Sequence, residues 1–261
     1  MLYMSLHRYG NGFFPCTGAA KDVGTGPGTG FSVNVPWEEI GLTAADYMAA
    51  LRFVILPILT DFAPDVLFIS AGYDTVQGDP LGGMCLTPPT YAAMTTALLT
   101  ALPPHRRAVI ALEGGYNEDA IAAAAEATMK AALRFGGATS TVAAPPALRK
   151  GKTHRKTTET LRAVRAVQSP HWPCLAETDA QFEAFCAEEE AKLGGHALPV
   201  ADCVPAEQHA PATPAQPRSS PGGGVAVAPS ASAEKAAHHV TSPHSAPVQP
   251  KTPVTGAANE G

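Results

Sequence analysis

Short apolar runs alternate with longer segments of helical periodicity along the first half of the chain. The runs have the length of buried strands, and the longer segments repeat apolar residues every three to four positions. This pattern predicts strands over residues 2–6, 30–35, 66–70 and 108–112, and helices over residues 44–62, 88–102 and 118–135. Because the strands are continuously apolar and separated by helices, we expect an α/β fold whose parallel sheet is covered on both faces.

Composition separates the two ends of the chain. Residues 1–137 contain 7 Lys/Arg and 12 Asp/Glu, whereas residues 138–261 contain 11 of each, so the net charge of −5 arises in the first part. From residue 194 onward the sequence is rich in Ala, Pro, Ser and Gly without periodicity, which predicts a disordered tail. The acidic balance argues against direct DNA binding.

The length of the apolar runs and the use of cysteine argue against a membrane protein and against a secreted protein. No apolar run approaches the roughly 20 residues of a membrane-spanning helix, and no apolar leader follows Met1. The five cysteines include no Cys-x-x-Cys pair, so they indicate neither a disulfide framework nor a cysteine-rich zinc site. We therefore expect no membrane association and residence in the nucleus or cytoplasm.

Two loops that directly follow predicted buried strands contain both glycine and a functional side chain. The first holds Gly72 and Asp74, a carboxylate placed either to ligate a metal or to cap the following turn. The second holds Gly114, Gly115 and Tyr116, whose phenol could donate a hydrogen bond to a developing oxyanion or pack at the rim of the core. The residues alone leave both alternatives open.

The glycine-rich run over residues 24–30 has the composition of a phosphate-binding loop but not its pattern. It lacks the Gly-Lys-Ser/Thr that ends a P-loop, and its glycines do not have the dinucleotide-binding spacing. Pro27 also removes a backbone N–H that a phosphate cradle would use. We interpret this run as a tight connecting loop.

Seven short segments follow one another in order across the first 116 residues. They read SLHRY at 5–9, GFFP at 12–15, VGTG at 23–26, FAPD at 62–65, SAGYD at 70–74, GDPLGG at 78–83 and LEGGY at 112–116. This set resembles the zinc-dependent histone deacetylases, in particular the carboxyl-terminal half of a class II-like catalytic domain. Residues 161–175, which end in HWPCL, are similar to the helix and aromatic segment that follow the core in that class.

The resemblance implies a fold and a division of the chain. The expected fold is a three-layer, arginase/deacetylase-like parallel sheet that is incomplete at its amino-terminal side, followed by a disordered tail. Residues 1–137 would be the carboxyl-terminal part of the deacetylase domain, residues 138–193 a basic linker with a class II-like helical extension, and residues 194–261 the tail.

The resemblance also implies roles in hydrolysis of acetyl-lysine. Asp74 matches an aspartate ligand of the catalytic zinc, and Tyr116 matches the tyrosine that hydrogen-bonds the acetyl carbonyl. Zinc would act as a Lewis acid while a preorganised phenol meets the developing negative charge.

Further positions would shape the substrate tunnel and a second metal site. Phe14 matches an aromatic wall of the acetyl-lysine tunnel, and Gly114 matches a tunnel glycine whose backbone approaches the substrate. The backbone carbonyls of Ser5 and Leu6 correspond to part of a structural potassium site.

One departure from the family concerns the remaining zinc ligands and the general base. The family has an Asp-x-His segment and a tandem histidine pair upstream of the strand that contains Ser5, whereas residues 1–137 contain only His7 and His105 as histidines. The pair His238 and His239 falls in the predicted tail, and one aspartate cannot provide the three protein ligands of a catalytic zinc. We therefore expect the chain to bind zinc poorly, to turn over little substrate and to self-associate through uncovered apolar surface.

Two functional hypotheses follow from this departure. The chain is the carboxyl-terminal half of a histone or protein lysine deacetylase, truncated and inactive alone, or it is a non-catalytic half-domain that acts as an interaction module. The resemblance implies an acetylated histone or other acetylated protein as substrate, and permits a corepressor complex as partner.

Two charged segments lie in the predicted extension. The basic cluster over residues 149–156 is interpreted as a solvated linker, with nuclear import or nucleic-acid contact as the alternative. A short surface helix is predicted over residues 180–193, with Glu188, Glu189 and Glu190 as its solvated face.

Overall fold

The computed structural model describes residues 1–103, 107–136, 151 and 153–193. In chain order, the strands are β1 (Tyr3–Arg8), β2 (Ser32–Trp37), β3 (Val66–Ala71) and β4 (Arg107–Leu112). The α-helices are α1 (Ala44–Ala50), α2 (Leu56–Phe62), α3 (Pro88–Thr100), α4 (Glu118–Gly136), α5 (Thr157–Gln168) and α6 (Asp179–Leu193). Short 3₁₀ helices cover Gly26–Gly28 and Pro173–Thr178. No described helix is both long enough and apolar enough to cross a membrane.

The four strands form two parallel pairs. β1 pairs with β2, with Ser5 opposite Asn34, and β3 pairs with β4, with Phe68 opposite Val109. Each pair is joined in sequence by a crossover, as parallel strands require. The predicted parallel α/β arrangement is therefore confirmed, with strand ends that differ by one or two residues from those predicted.

The helix predicted over residues 44–62 is interrupted in its middle. It begins with a capping box in which Thr43 and Asp46 satisfy each other's backbone amides. A π-helical turn over Leu51–Ile55 separates α1 from α2. Pro57, near the start of α2, has no N–H to donate to the carbonyl four residues earlier, which accounts for a departure from α-helical hydrogen bonding here.

Residues 153–193 pack against the first part of the chain. The indole of Trp172 donates to the carbonyl of Gly30 (2.8 Å), and the Gln168 amide donates to the carbonyl of Ser32 (2.8 Å). Leu161 and Leu175 are fully buried in the same core as Phe53. The predicted boundary at residue 137 and the predicted tail from residue 194 lie outside the described residues.

One burial prediction was wrong. Glu189 is buried, because its carboxylate accepts hydrogen bonds from the backbone N–H (2.9 Å) and hydroxyl (2.7 Å) of Thr153. The β3–β4 sheet leaves one face uncovered by the described residues. This differs from the sheet covered on both faces that the strand pattern alone predicts, and it agrees with the uncovered apolar surface expected of an incomplete sheet. Val66, Phe68 and Val109 have exposed side chains, and the strand register places Phe68 opposite Val109 on that face.

Candidate functional site

The loops after β3 and β4 meet because their strands are parallel neighbours. Two backbone hydrogen bonds join the loops: Glu113 N–H donates to the carbonyl of Ala71 (3.1 Å), and Tyr73 N–H donates to the carbonyl of Gly114 (2.6 Å). The carboxyl ends of parallel strands are the usual place for chemistry in such sheets. This junction brings Asp74 and Tyr116 to one end of the β3–β4 pair.

Asp74 lies between three glycines from three loops. A β-carbon on Gly72 would lie 3.3 Å from Asp74 Oδ1, and one on Gly114 would lie 3.4 Å from Oδ2. A β-carbon on Gly82 would lie only 1.7 Å from the backbone carbonyl oxygen of Asp74. Glycine at position 82 is therefore required by a close backbone approach, since a methyl group there would overlap that oxygen.

The Tyr116 hydroxyl borders the same space as the Asp74 carboxylate. It lies 3.6 Å from the position that a β-carbon on Gly114 would take, and Asp74 Oδ2 lies 3.4 Å from the same position. The Tyr116 side chain is 58% exposed, so its phenol is accessible from solvent. A carboxylate and a phenolic donor thus face one small space above a glycine.

A third loop, residues 78–83, closes the site from beside Asp74. Asp79 is buried, and its Oδ1 accepts from the backbone N–H groups of Leu81 (2.8 Å) and Gly82 (2.9 Å). Its Oδ2 accepts from the backbone N–H of Tyr116 (2.7 Å). Arg8, at the end of β1, donates to the carbonyl of Leu81 (2.8 Å) and so ties this loop to the other strand pair.

The electrostatic environment of Asp74 disfavours its charged form. Burial raises the pKa of the Asp74 carboxyl above its ordinary value, and the nearby negative charge of Asp79 raises it further. The backbone N–H groups of Asp74 and Thr75 oppose this shift in part. A cation held next to Asp74 would favour the ionised form.

The donor set around Asp74 does not by itself fit a catalytic zinc. Among the residues that the structure describes, no group of three or more His, Cys, Asp or Glu side chains could hold a metal ion. Asp79 is committed to three backbone N–H groups. Because a catalytic zinc takes three protein ligands, the described residues contribute one candidate ligand, Asp74.

The other predicted site residues belong to β1 and to the loop that follows it. Phe14 is on the loop after β1 with its side chain 85% exposed, and Ser5 and Leu6 lie within β1. The Ser5 hydroxyl lies 2.8 Å from His7 Nδ1, and His7 Nε2 lies 2.9 Å from the carbonyl of Gly18. Since a carbonyl only accepts, Nε2 carries the hydrogen and the Ser5 hydroxyl donates to Nδ1.

Sequence reasoning placed Asp74, Gly114 and Tyr116 in the site but gave no role to Asp79 or Gly82. Both belong to the GDPLGG segment, which continues the loop of Asp74 along the chain and contributes to the family resemblance. The available signal was a carboxylate followed by Pro and two glycines, a composition typical of a tight turn closed by an aspartate. Their relation to Asp74 and Tyr116 depends on tertiary contact.

Comparison with known proteins gives consistent matches. The histone deacetylase domain family matches residues 1–132. Histone deacetylase 4 of Caenorhabditis briggsae is 39% identical over 183 residues, which are 69% of this chain and 20% of that protein. Histone deacetylase clr3 of Schizosaccharomyces pombe is 38% identical over 180 residues, 67% of this chain and 24% of that protein.

Solved structures give the same result. The crystal structure of the HDA15 HD domain superposes with a TM-score of 0.60 at 39% identity, covering 70% of this chain and 47% of that one. The structure of the histone deacetylase Clr3 superposes with a TM-score of 0.60 at 38% identity, covering 67% and 28% respectively. The described part therefore has the deacetylase fold, and the chain spans about a fifth to a quarter of the first curated relatives that it matches.

Proposed function

This chain belongs to the histone deacetylase family, and from that premise we propose that it supplies the Asp74 and Tyr116 side of a site that hydrolyses acetyl-lysine. One observation carries the proposal: Asp74 Oδ2 and the Tyr116 hydroxyl border the same space above Gly114. A substrate acyl group there would meet a carboxylate from the β3 loop and a phenolic donor from the β4 loop.

The chemistry assigned to Tyr116 follows from its hydroxyl. When water adds to the amide carbonyl, negative charge develops on the carbonyl oxygen, and a positioned O–H donor stabilises that charge. Gly114 leaves the space open, because any larger side chain would fill it. Asp74 is a zinc ligand by resemblance only, so zinc binding at this site requires further ligands from outside the described residues.

The finer assignments follow the family. We propose a class II-like protein lysine deacetylase whose substrate is an acetylated histone or another acetylated protein, in the nucleus or cytoplasm. A chromatin corepressor complex is its proposed partner. Phe14 is the proposed tunnel wall, and the carbonyls of Ser5 and Leu6 are proposed potassium ligands. In this proposal the chain alone holds an incomplete site and turns over little substrate.

A complementation experiment tests this proposal. The chain is purified alone and after co-expression with the amino-terminal half of the deacetylase domain of histone deacetylase 15 from Arabidopsis thaliana, and bound zinc and acetyl-lysine peptide hydrolysis are measured. We expect both only in the complemented protein, with hydrolysis lost in Asp74→Ala and Tyr116→Phe and kept in Asp22→Asn, a loop carboxylate elsewhere. Tight stoichiometric zinc and Asp74-dependent hydrolysis in the chain alone would overturn the incomplete-site proposal, and no hydrolysis in either would count against the deacetylase proposal.

The exposed face of the β3–β4 sheet favours a second candidate, a non-catalytic interaction module. Parallel sheets are normally buried on both faces, yet Phe68 is 73% exposed and Val109 45% exposed. Sedimentation velocity over a range of concentrations should show self-association of the chain that Phe68→Glu weakens. Thr100→Glu adds the same charge at an exposed helix end and should leave it unchanged. A monomer at all concentrations would argue against this candidate.

A further inference from the structure

Asp79 connects the loop beside Asp74 to the backbone of Tyr116. It is 2% exposed, and its two carboxylate oxygens have different partners: Oδ1 accepts from Leu81 and Gly82, and Oδ2 accepts from Tyr116. We propose that Asp79 is a positioning residue that sets where the Tyr116 phenol lies above Gly114. The catalytic meaning of this role depends on the proposed function, but the positioning itself does not.

The position of Tyr116 is set mainly through its backbone. Tyr116 is 58% exposed, so less than half of its surface is covered by packing contacts. The preceding residue is Gly115, with a φ of 148°. Because glycine has the widest range of backbone conformations, it restrains the position of Tyr116 little. A hydrogen bond from the Tyr116 amide to a buried carboxylate is charge-assisted and therefore among the stronger restraints available.

The next residue along the chain adds a second restraint to the same loop. The Asn117 side-chain amide donates to the carbonyl of Gly78 (3.0 Å), immediately before Asp79. Residues 116 and 117 are thus both held to residues 78 and 79. Since Gly82 of that loop lies against the backbone of Asp74, one loop fixes the separation between the Asp74 carboxylate and the Tyr116 phenol.

Because the two carboxylate oxygens of Asp79 have different partners, a single substitution can remove the contact of one oxygen and keep those of the other. In Asp79→Asn the remaining carbonyl oxygen can still accept from Leu81 and Gly82, whereas the NH₂ group that replaces Oδ2 cannot accept from Tyr116. The variant therefore removes the contact with Tyr116 and keeps the turn of the loop. Asp22→Asn is the matched control, because Asp22 Oδ2 accepts from the backbone N–H of Ala19 (2.9 Å) in another loop.

The test is a comparison of NMR spectra of the full chain. In Asp79→Asn we expect the Tyr116 amide proton to shift upfield and the Tyr116 ring signals to move, with smaller shifts of the Leu81 and Gly82 amides, which keep an acceptor that has lost its charge. Asp22→Asn should move none of these signals. Unchanged Tyr116 ring signals in folded Asp79→Asn would overturn the proposal.

Two further measurements distinguish a failure of the Asp79 proposal from a variant that does not fold and from a failure of the proposed function. In the unsubstituted chain the Tyr116 amide should exchange with deuterium more slowly than a free peptide amide, and free-peptide exchange would overturn the proposal even if the variant fails to fold. In the complemented protein, Asp79→Asn should lower kcat by about 10²-fold with a smaller change in KM, the size expected for a misplaced catalytic group. If the complemented protein hydrolyses no acetyl-lysine, the proposed function fails while the NMR result still decides the role of Asp79.

Discussion

The guanidinium of Arg165 donates a hydrogen bond to the backbone carbonyl of Phe53, a carbonyl that Pro57 cannot satisfy. Pro57 stands four residues after Phe53, where an α-helix would supply an N–H. The same guanidinium also donates to the carbonyl of Leu175 (2.7 Å) and bonds to Asp179. Arg165 therefore joins the π-helical turn to the segment that follows α5.

Removing Arg165 should strongly destabilise the fold. Arg165→Ala leaves the buried carbonyls of Phe53 and Leu175 without this donor, which we expect to cost roughly 2–5 kcal/mol in the free energy of unfolding. Arg162→Ala is the control, because Arg162 makes exposed ion pairs with Glu183 and Glu190 and should cost less than about 1 kcal/mol. Urea unfolding of both variants measures the difference, and equal losses would contradict the role given to Arg165.

Gly82→Ala should displace the backbone of Asp74. The new methyl group would overlap the Asp74 carbonyl oxygen, so the 78–83 loop or the β3 loop must move. We expect a loss of roughly 1–3 kcal/mol or more in the free energy of unfolding, together with shifted amide signals of Asp74 and Thr75. Gly28→Ala is the matched control, since a β-carbon there meets no atom within 4 Å. A Gly82→Ala variant as stable as Gly28→Ala would show that the loop moves freely.

The sequence predicted those parts of the site that depend on local order along the chain. Asp74 and Tyr116 follow apolar runs directly, so their place at the ends of β3 and β4 could be inferred from strand periodicity. Asp79 carries no such signal, because its link to Tyr116 spans 37 residues and forms only when the two loops meet.

The wrong predictions also arise from contacts between residues that are far apart along the chain. The charge pattern of α6 predicted a solvated Glu189, but its partner Thr153 lies 36 residues earlier and brings it into the interior. Pro57 lies within the helix predicted over residues 44–62. Arg165, which donates a hydrogen bond to the carbonyl of Phe53, lies 112 residues away along the chain. Contacts of this kind depend on packing between elements, which periodicity does not encode.

Protonation of His7 should destabilise the fold in mild acid. Burial lowers the pKa of His7 below its ordinary value of 6.5, and the hydrogen bond to Gly18 opposes this only in part. The unfolded chain then binds this proton more readily than the folded chain, so the contribution is full above pH 6.5 and is lost as pH falls from 6.5 towards the folded pKa. The free energy of unfolding should fall less steeply over this range in His7→Gln than in the unsubstituted chain. The imidazole signals of His7 should titrate below 6.5 in the folded protein, and titration above that value would contradict the argument.

Gly114→Ala should separate folding from function. A β-carbon here would lie 3.4 Å from Asp74 Oδ2 and 3.6 Å from the Tyr116 hydroxyl, which are ordinary contact distances, so we expect a change within about 0.5 kcal/mol in the free energy of unfolding. The methyl group nevertheless occupies the space proposed for the acyl group. Thermal unfolding should therefore match that of the unsubstituted chain, while hydrolysis of an acetyl-lysine peptide by the complemented protein is lost. Retained hydrolysis in a folded Gly114→Ala variant would mean that the substrate does not enter between Asp74 and Tyr116.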